Sequence, residues 1–209
     1  MDVDIAPQPT RGSQTKQKIL QVSLELFSQK SFKSTTVRDI ASAMGVKPSA
    51  LYNHFKNKNE ILETLIQELS SSAIATLFSE NTMDTGKTLL FTIALTFKQI
   101  GSDGQNEALY RLLMQEMFRN ERIREIYHDE FYQENVIKLS ELFFVMMQEK
   151  RILSFDPILL ANSFLSPLFF YQMQLTLLKL DHKSTSEVSA MFNKHVEFFW
   201  DTIQIKETL

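Results

Sequence analysis

Apolar positions in this chain recur at helical spacing rather than in strand alternation. Val37, Ile40, Ala41 and Met44 stand at i, i+3, i+4 and i+7, and Thr36 with Asp39 makes a capping box at the start of that face. Gly45 follows, the usual place for a left-handed helix stop. Lys47 precedes Pro48 and is biased away from helix, whereas Pro48 suits a first helical position. The pattern predicts a second short helix from Pro48 to about Phe55, with Leu51 and Phe55 inward. Its outer side is Lys47, Ser49, Ala50, Asn53 and His54, short or basic groups with no acid among them. Asn57 and Glu60 form a looser cap-like pair opening the next helix. Lys58 sits in its first turn, where a helix N-terminus with a lysine is a ready phosphate site.

The rest of the pattern predicts an all-α chain of about nine helices. A first helix runs from Ser13 to Lys30. A long fourth runs from near Lys58 through Leu62, Leu65, Ile66 and Leu69 towards Leu77, then breaks over Asn81 to Gly86. Helices follow from about Thr85 to Ile100, where the Gly101 to Gly104 turn ends one, and from Glu107 to Arg119. After a charged break at Asn120 to Arg124, a long helix ends near Lys150. Asp156 and Pro157 cap an uncharged helix to about Leu180. Ser184 with Glu187 reads as a capping box for the last, ending near Ile205. Only five glycines and five prolines interrupt the chain, so helices dominate.

Charge changes the picture. The net charge of −3 argues against a polyanionic partner for the chain as a whole. Residues 1–60, however, carry nine Lys/Arg against five Asp/Glu, and the remainder thirteen against twenty. A basic head on an acidic body implies that only the head approaches a polyanion. The absence of cysteine excludes disulfides and thiolate metal sites and fits a reducing cytoplasm. MDVDIAPQPTRG shows no secretory signal and reads as a disordered arm over 1–12. The uncharged run Ile158 to Leu178 is long enough for a membrane span, but a third of it is polar or proline. A helix buried inside the protein is the better account.

The segment from Ile19 to Leu65, with IL-x3-LELF, TTVRDIA and GV-x2-SALY-x-HF-x-NK, resembles the N-terminal domain of the TetR/AcrR family of bacterial transcriptional regulators. The resemblance implies a helix-turn-helix domain over 13–60 and a helical effector-binding and dimerisation body over 61–209. It implies that Thr36, Tyr52, His54 and Lys58 touch phosphates of double-stranded DNA. Lys47, Ser49, Ala50 and Asn53, on the helix Pro48 opens, would lie nearest the base edges. It further implies a cytoplasmic homodimer, by family habit a ligand-responsive repressor, on a paired site. Two departures stand out: Ser31 replaces a frequent glycine before Phe32, and Lys47 replaces a frequent Ser or Thr cap.

The body offers coarser candidates. Val188, Phe192, His195 and Phe199 form a broad apolar face on the last helix that needs cover. With Phe169 and Met173 of the preceding helix they are the expected dimer interface, in a four-helix bundle of two subunits. The Phe- and Met-rich middle reads first as core. A sharper reading gives an adaptable pocket for an apolar or amphipathic effector, lined by Met114, Phe118, Phe144, Met147, Phe164 and Phe170. Arg111, Glu116, His128 and Gln172 are the polar groups available to orient it. No cofactor, metal or catalytic residue is expected. Glu125 and His128 make one Glu-x-x-His, but a di-iron bundle needs a second pair and two more glutamates. The rival is a helical protein-interaction or small-molecule-binding module without DNA binding, in which Tyr52 is a packing residue.

Overall fold

The first helix opens two residues before the expected Ser13, because Thr10 caps it by accepting from the Ser13 N–H at 3.3 Å. This computed structural model describes residues 10–73, 86–100 and 104–205, with the backbone alone for 70–73. Most of the expected arm lies outside the described residues, as do most of the break at Asn81–Gly86 and the turn at Gly101–Gly104. In order, the helices are α1 (Arg11–Lys30), α2 (Val37–Ala43), α3 (Pro48–Tyr52), α4 (Lys58–Ala73), α5 (Lys87–Ile100) and α6 (Gly104–Glu116). Then α7 runs without a break through Glu121–Glu125, a π-helical stretch Ile126–Gln133 and Glu134–Gln148. It is followed by α8 (Pro157–Leu180) and α9 (Ser186–Ile203). The chain is all-α, and among the described residues the one extended pairing is an isolated bridge between Ile152 and Gln204.

Two compact units divide inside α4, between Leu65 and Ile66, where the sequence pattern suggested 60/61. In the first unit α1 buries Ile19, Leu20, Leu24 and Phe27, α2 buries Ile40 and Ala41, and α3 buries Leu51. Phe55, just beyond α3, and Ile61, Leu62 and Leu65 of α4 complete this core. Full burial of each large side chain is worth about 1.5–3 kcal/mol, so this small unit rests on roughly a dozen such groups. Ser23, in the same layer of α1, is fully buried and its hydroxyl has no hydrogen-bond partner.

Three helices end in the same hydrogen-bonded turn. After α2, Gly45 takes φ 68° while Val46 N–H reaches the Ala41 carbonyl. After α7 and α8, Lys150 (φ 56°) and His182 (φ 54°) fill that position, with Arg151 donating to Met146 and Lys183 to Leu178. The left-handed position favours glycine but does not demand it when both closing bonds form. At the other end of α9 the expected capping box is not made. Thr185 is the N-cap and makes no side-chain bond, and the Ser184 hydroxyl meets Ser186 instead.

In the second unit α8 is apolar nearly all round. One side buries Leu160, Ala161, Phe164, Leu165, Leu168, Gln172 and Leu175, while Leu159, Phe170, Leu177 and Leu180 are exposed. Pro167 lies inside it, withholding a donor from the Ser163 carbonyl, and Ser163 is exposed to water. The π-helical stretch of α7 turns Phe131 into a ring cluster with Phe97 and Phe169, and the Asn135 side chain donates to the Phe131 carbonyl. No described helix is long and apolar enough to cross a membrane.

Candidate nucleic-acid interface

Local chemistry builds the α2–α3 pair as its sequence implied. Thr36 accepts from the Asp39 N–H at 3.1 Å, and the Asp39 carboxylate accepts from the Thr36 N–H at 2.7 Å and its hydroxyl at 2.6 Å. Those bonds, the hydroxyl first, hold the Asp39 carboxyl below the ordinary range, so the cap is ionised. The Thr36 hydroxyl thereby donates its hydrogen bond to Asp39 rather than to solvent. Lys47 is the N-cap of α3 and makes no side-chain capping bond, so the missing Ser or Thr cap is not replaced. The helix ends at Tyr52, short of the expected Phe55. His54 and Phe55 N–H groups both turn back to the Leu51 carbonyl, at 2.9 and 3.0 Å.

The α3 segment has two sharply different sides. Leu51 is 1% exposed and Phe55 3%, whereas Tyr52 is 55% exposed. Lys47, Pro48, Ser49 and Asn53 are exposed with it, and Ala50 and His54 are half-buried. Thr36 is also exposed. Sequence reasoning passed over Arg38 and Lys56, exposed basic residues of the same unit. Their charge alone was the signal. Val46, the apolar residue of the turn, is 40% exposed.

Lys58 is engaged within its own unit. Its ammonium donates to the carbonyls of Phe32 at 2.6 Å and Thr35 at 2.8 Å and sits 4.2 Å from the Phe32 ring centroid. The start of α4 is also internally matched: Asn57 accepts from the Glu60 N–H at 3.0 Å, and the Glu60 carboxylate accepts from the Lys56 N–H. The Lys58 ammonium and the Glu60 N–H at this end thus have partners inside the unit.

In the second unit the expected sets separate. Phe192 is fully buried, Phe199 is 6% exposed and His195 9% exposed, so they belong to the core of their own subunit rather than to a face awaiting a partner. The His195 Nε2–H is 2.9 Å from the Phe164 carbonyl oxygen, and its ring packs on Phe164 and Phe199. Burial pushes the His195 pKa below its usual value, partly opposed by that bond. Phe169 and Met173 are half-buried, as is Val188. The uncovered apolar groups lie one helical step away. Leu159, Ser163, Ser166, Phe170, Met173, Leu177 and Leu180 follow one another at alternating spacings of four and three along α8, and Leu159, Phe170, Leu177 and Leu180 are its exposed apolar members. On the last helix Met191 and Phe198, seven residues apart, are exposed. That repeat is the geometry of a helix–helix seam.

The six effector candidates differ in burial. Phe118, Phe144 and Phe170 are 76%, 53% and 51% exposed, Phe164 is buried in the His195 stack, and Met114 and Met147 are half-buried. The Glu-x-x-His pair is spent on neighbours: Glu125 with Arg122 at 2.9 Å, His128 with Asp129 at 2.7 Å.

Comparison with known proteins agrees with this geometry. Residues 19–65 match the family model for bacterial regulatory proteins of the tetR family. The HTH-type transcriptional repressor KstR2 of Mycolicibacterium smegmatis is 33% identical over 60 residues, 29% of each chain. The HTH-type transcriptional regulator AcrR of Shigella flexneri is 47% identical over 66 residues, 32% of this chain and 30% of that one. KstR2 of Rhodococcus jostii is 27% identical over 110 residues, 50% of this chain and 52% of its own. These matches thus span between about a third and half of each relative's length. Among solved structures, Salmonella enterica GusR aligns with a TM-score of 0.70 at 20% identity, covering 91% of this chain and 100% of that one. The fatty acid degradation regulator FadR from Bacillus halodurans aligns at 0.70 and 19%, covering 93% and 97%. At such identities these two establish the fold. Residues 19–65 thus form a helix-turn-helix domain that matches the tetR family of bacterial regulatory proteins, and the chain shares the all-α fold of the two solved regulators.

Proposed function

We propose that the protein is a DNA-binding transcriptional regulator, a repressor that acts as a homodimer on a paired-half-site duplex. The observation that carries this is the two-sidedness of the α3 segment: Leu51 and Phe55 anchor it while Lys47, Pro48, Ser49, Tyr52 and Asn53 stand in solvent. A helix held from behind with short and basic groups in front suits the major groove. In this reading Ser49, Asn53, Ala50 and Lys47 meet base edges, and Tyr52 and His54 meet phosphates. Thr36 holds the start of α2. Repression is favoured because the KstR2 relatives are repressors.

The dimer would form through the seam of Phe170, Leu177, Leu180, Met191 and Phe198, whose exposed repeat needs cover. Two joined heads also supply the specificity that one small head lacks. The body is read as an effector-binding rather than a catalytic unit, for an apolar or amphipathic small molecule matched to its Phe- and Met-rich composition. Selecting bound fragments from a randomised duplex library tests the whole reading. Enrichment of one inverted repeat with salt-sensitive affinity is the expected result. Protein that binds no duplex at any salt concentration would instead favour a helical interaction module.

A further inference from the structure

The loop from α1 to α2 is short and strained, and one of its residues, Thr35, is buried. Ser31 takes φ 75° and ψ 155°, a region that is close to glycine-only. Thr35 is fully buried, and its hydroxyl donates to the Ser31 carbonyl at 2.9 Å. Thr36, the next residue, caps α2, so whatever fixes Thr35 fixes the start of the helix on which α3 packs.

Lys58 reaches into that loop from the start of α4. Its two carbonyl partners, Phe32 and Thr35, lie at either end of a four-residue stretch, and its third contact is the Phe32 ring. That ring is itself set edge-on against Phe27 of α1, with centroids 5.2 Å apart. One cation therefore joins α1, the loop and α4. Charge-assisted bonds of this length are roughly twice as strong as neutral ones, and a cation over a ring adds to them. Withdrawing the ammonium to a phosphate would break all three contacts and leave two carbonyls unmatched. A phosphate contact would have to outweigh all of these.

We propose that Lys58 is a positioning residue for DNA recognition: its ammonium locks the α1–α2 loop to the start of α4, sets the pitch of α2 and α3, and stays there on the duplex. This rests on the reading that the first unit binds DNA.

The test compares wild type with Lys58→Met, which keeps the stem and loses the charge. Affinity is measured against salt for the duplex that wild type enriches and for a non-specific duplex of equal length, well below melting. The expected result is a loss of about tenfold or more on the selected duplex, with the non-specific affinity and both salt slopes unchanged. A phosphate ligand would instead weaken both duplexes and shrink the slope by about one per subunit, overturning the proposal. Wild-type affinity for both duplexes would overturn it too, because a purely structural lysine moves only the melting temperature. Phe32→Leu keeps the charge but removes the ring, and it decides alone should Lys58→Met not fold. Positioning predicts the same selective loss, and unaltered recognition of the selected duplex refutes it. Failure of wild type to bind any duplex is a separate outcome, which counts against the proposed function itself.

Discussion

Phe198 and Phe199 are chain neighbours on α9, yet one is 73% exposed and the other 6%. A helix turns about 100° per residue, so the two rings serve different purposes. Phe199 packs on Phe143 and Phe164, with ring centroids 5.8 and 5.0 Å apart, inside the subunit. Phe198 continues the outward stripe with Met191. Replacing Phe198 with Glu is expected to yield a folded monomer by sedimentation, with helical content unchanged. Replacing Phe199 with Glu is expected to unfold the second unit, since burying an unpaired carboxylate costs several kcal/mol. A Phe198→Glu protein that sediments as wild type would remove the seam.

Ser31 holds a backbone conformation that suits glycine. Such strain costs about 1–3 kcal/mol, partly offset by glycine's own entropy cost. Ser31→Gly is expected to stabilise the first unit by about 1 kcal/mol, read as a higher denaturation midpoint in the protein. An unchanged or lower midpoint would show that the Ser31 hydroxyl's contacts with Ser34, at 3.3 and 3.4 Å, outweigh the strain.

Ser23 contains a hydroxyl buried without a partner in the α1 core. Leaving such a group unsatisfied costs roughly 1–3 kcal/mol. Ser23→Ala removes that cost at the price of one small void, and the first unit should gain about 1 kcal/mol in chemical denaturation. A loss of stability would mean that the hydroxyl finds a partner in solution.

The exposed side of α3 divides by role. Ser49→Ala or Asn53→Ala is expected to relax preference at one position of the selected site, worth about 1–3 kcal/mol for a lost base contact. Tyr52→Phe removes only the hydroxyl and is expected to weaken all duplexes alike, because phosphate contacts carry no base information. Binding profiles across a randomised library separate the two patterns, and a changed preference in Tyr52→Phe would reverse the assignment.

His195 links the second unit to pH. Burial lowers its pKa in the folded protein from the ordinary 6.5. Between the folded value and 6.5 the unfolded chain therefore binds the proton and the folded one does not, and stability rises with pH. Its contribution is fully present above about pH 6.5 and is lost as pH falls through the folded value. Denaturation midpoints measured at descending pH should decline for wild type and decline less for His195→Gln, which can still donate to the Phe164 carbonyl. Parallel curves would place the acid sensitivity elsewhere.

Much of this molecule was legible in its sequence because the signals are local. The Thr36–Asp39 box, the Gly45 stop, Pro48 and the Leu51–Phe55 spacing each involve residues a few positions apart, and they define the α2–α3 pair without reference to the rest of the chain. The same locality explains the failures. Ser184 and Glu187 have the right spacing for a cap, but the turn before α9 places Thr185 there instead. Lys150 and His182 take left-handed conformations that no glycine announced, because the bonds closing each turn decide the matter.

Lys58 and the face of α9 mark the limit. Sequence alone determined that Lys58 opens a helix beside a reading pair and that α9 carries more apolar surface than one side needs. Only the tertiary structure decided that two carbonyls and a ring from a loop more than twenty residues earlier hold that ammonium. Only it decided that Phe199 turns inward and Phe198 outward. Caps and turns are set by neighbours along the chain, whereas the partner of a long cation and the covered side of an apolar helix depend on what folding brings alongside.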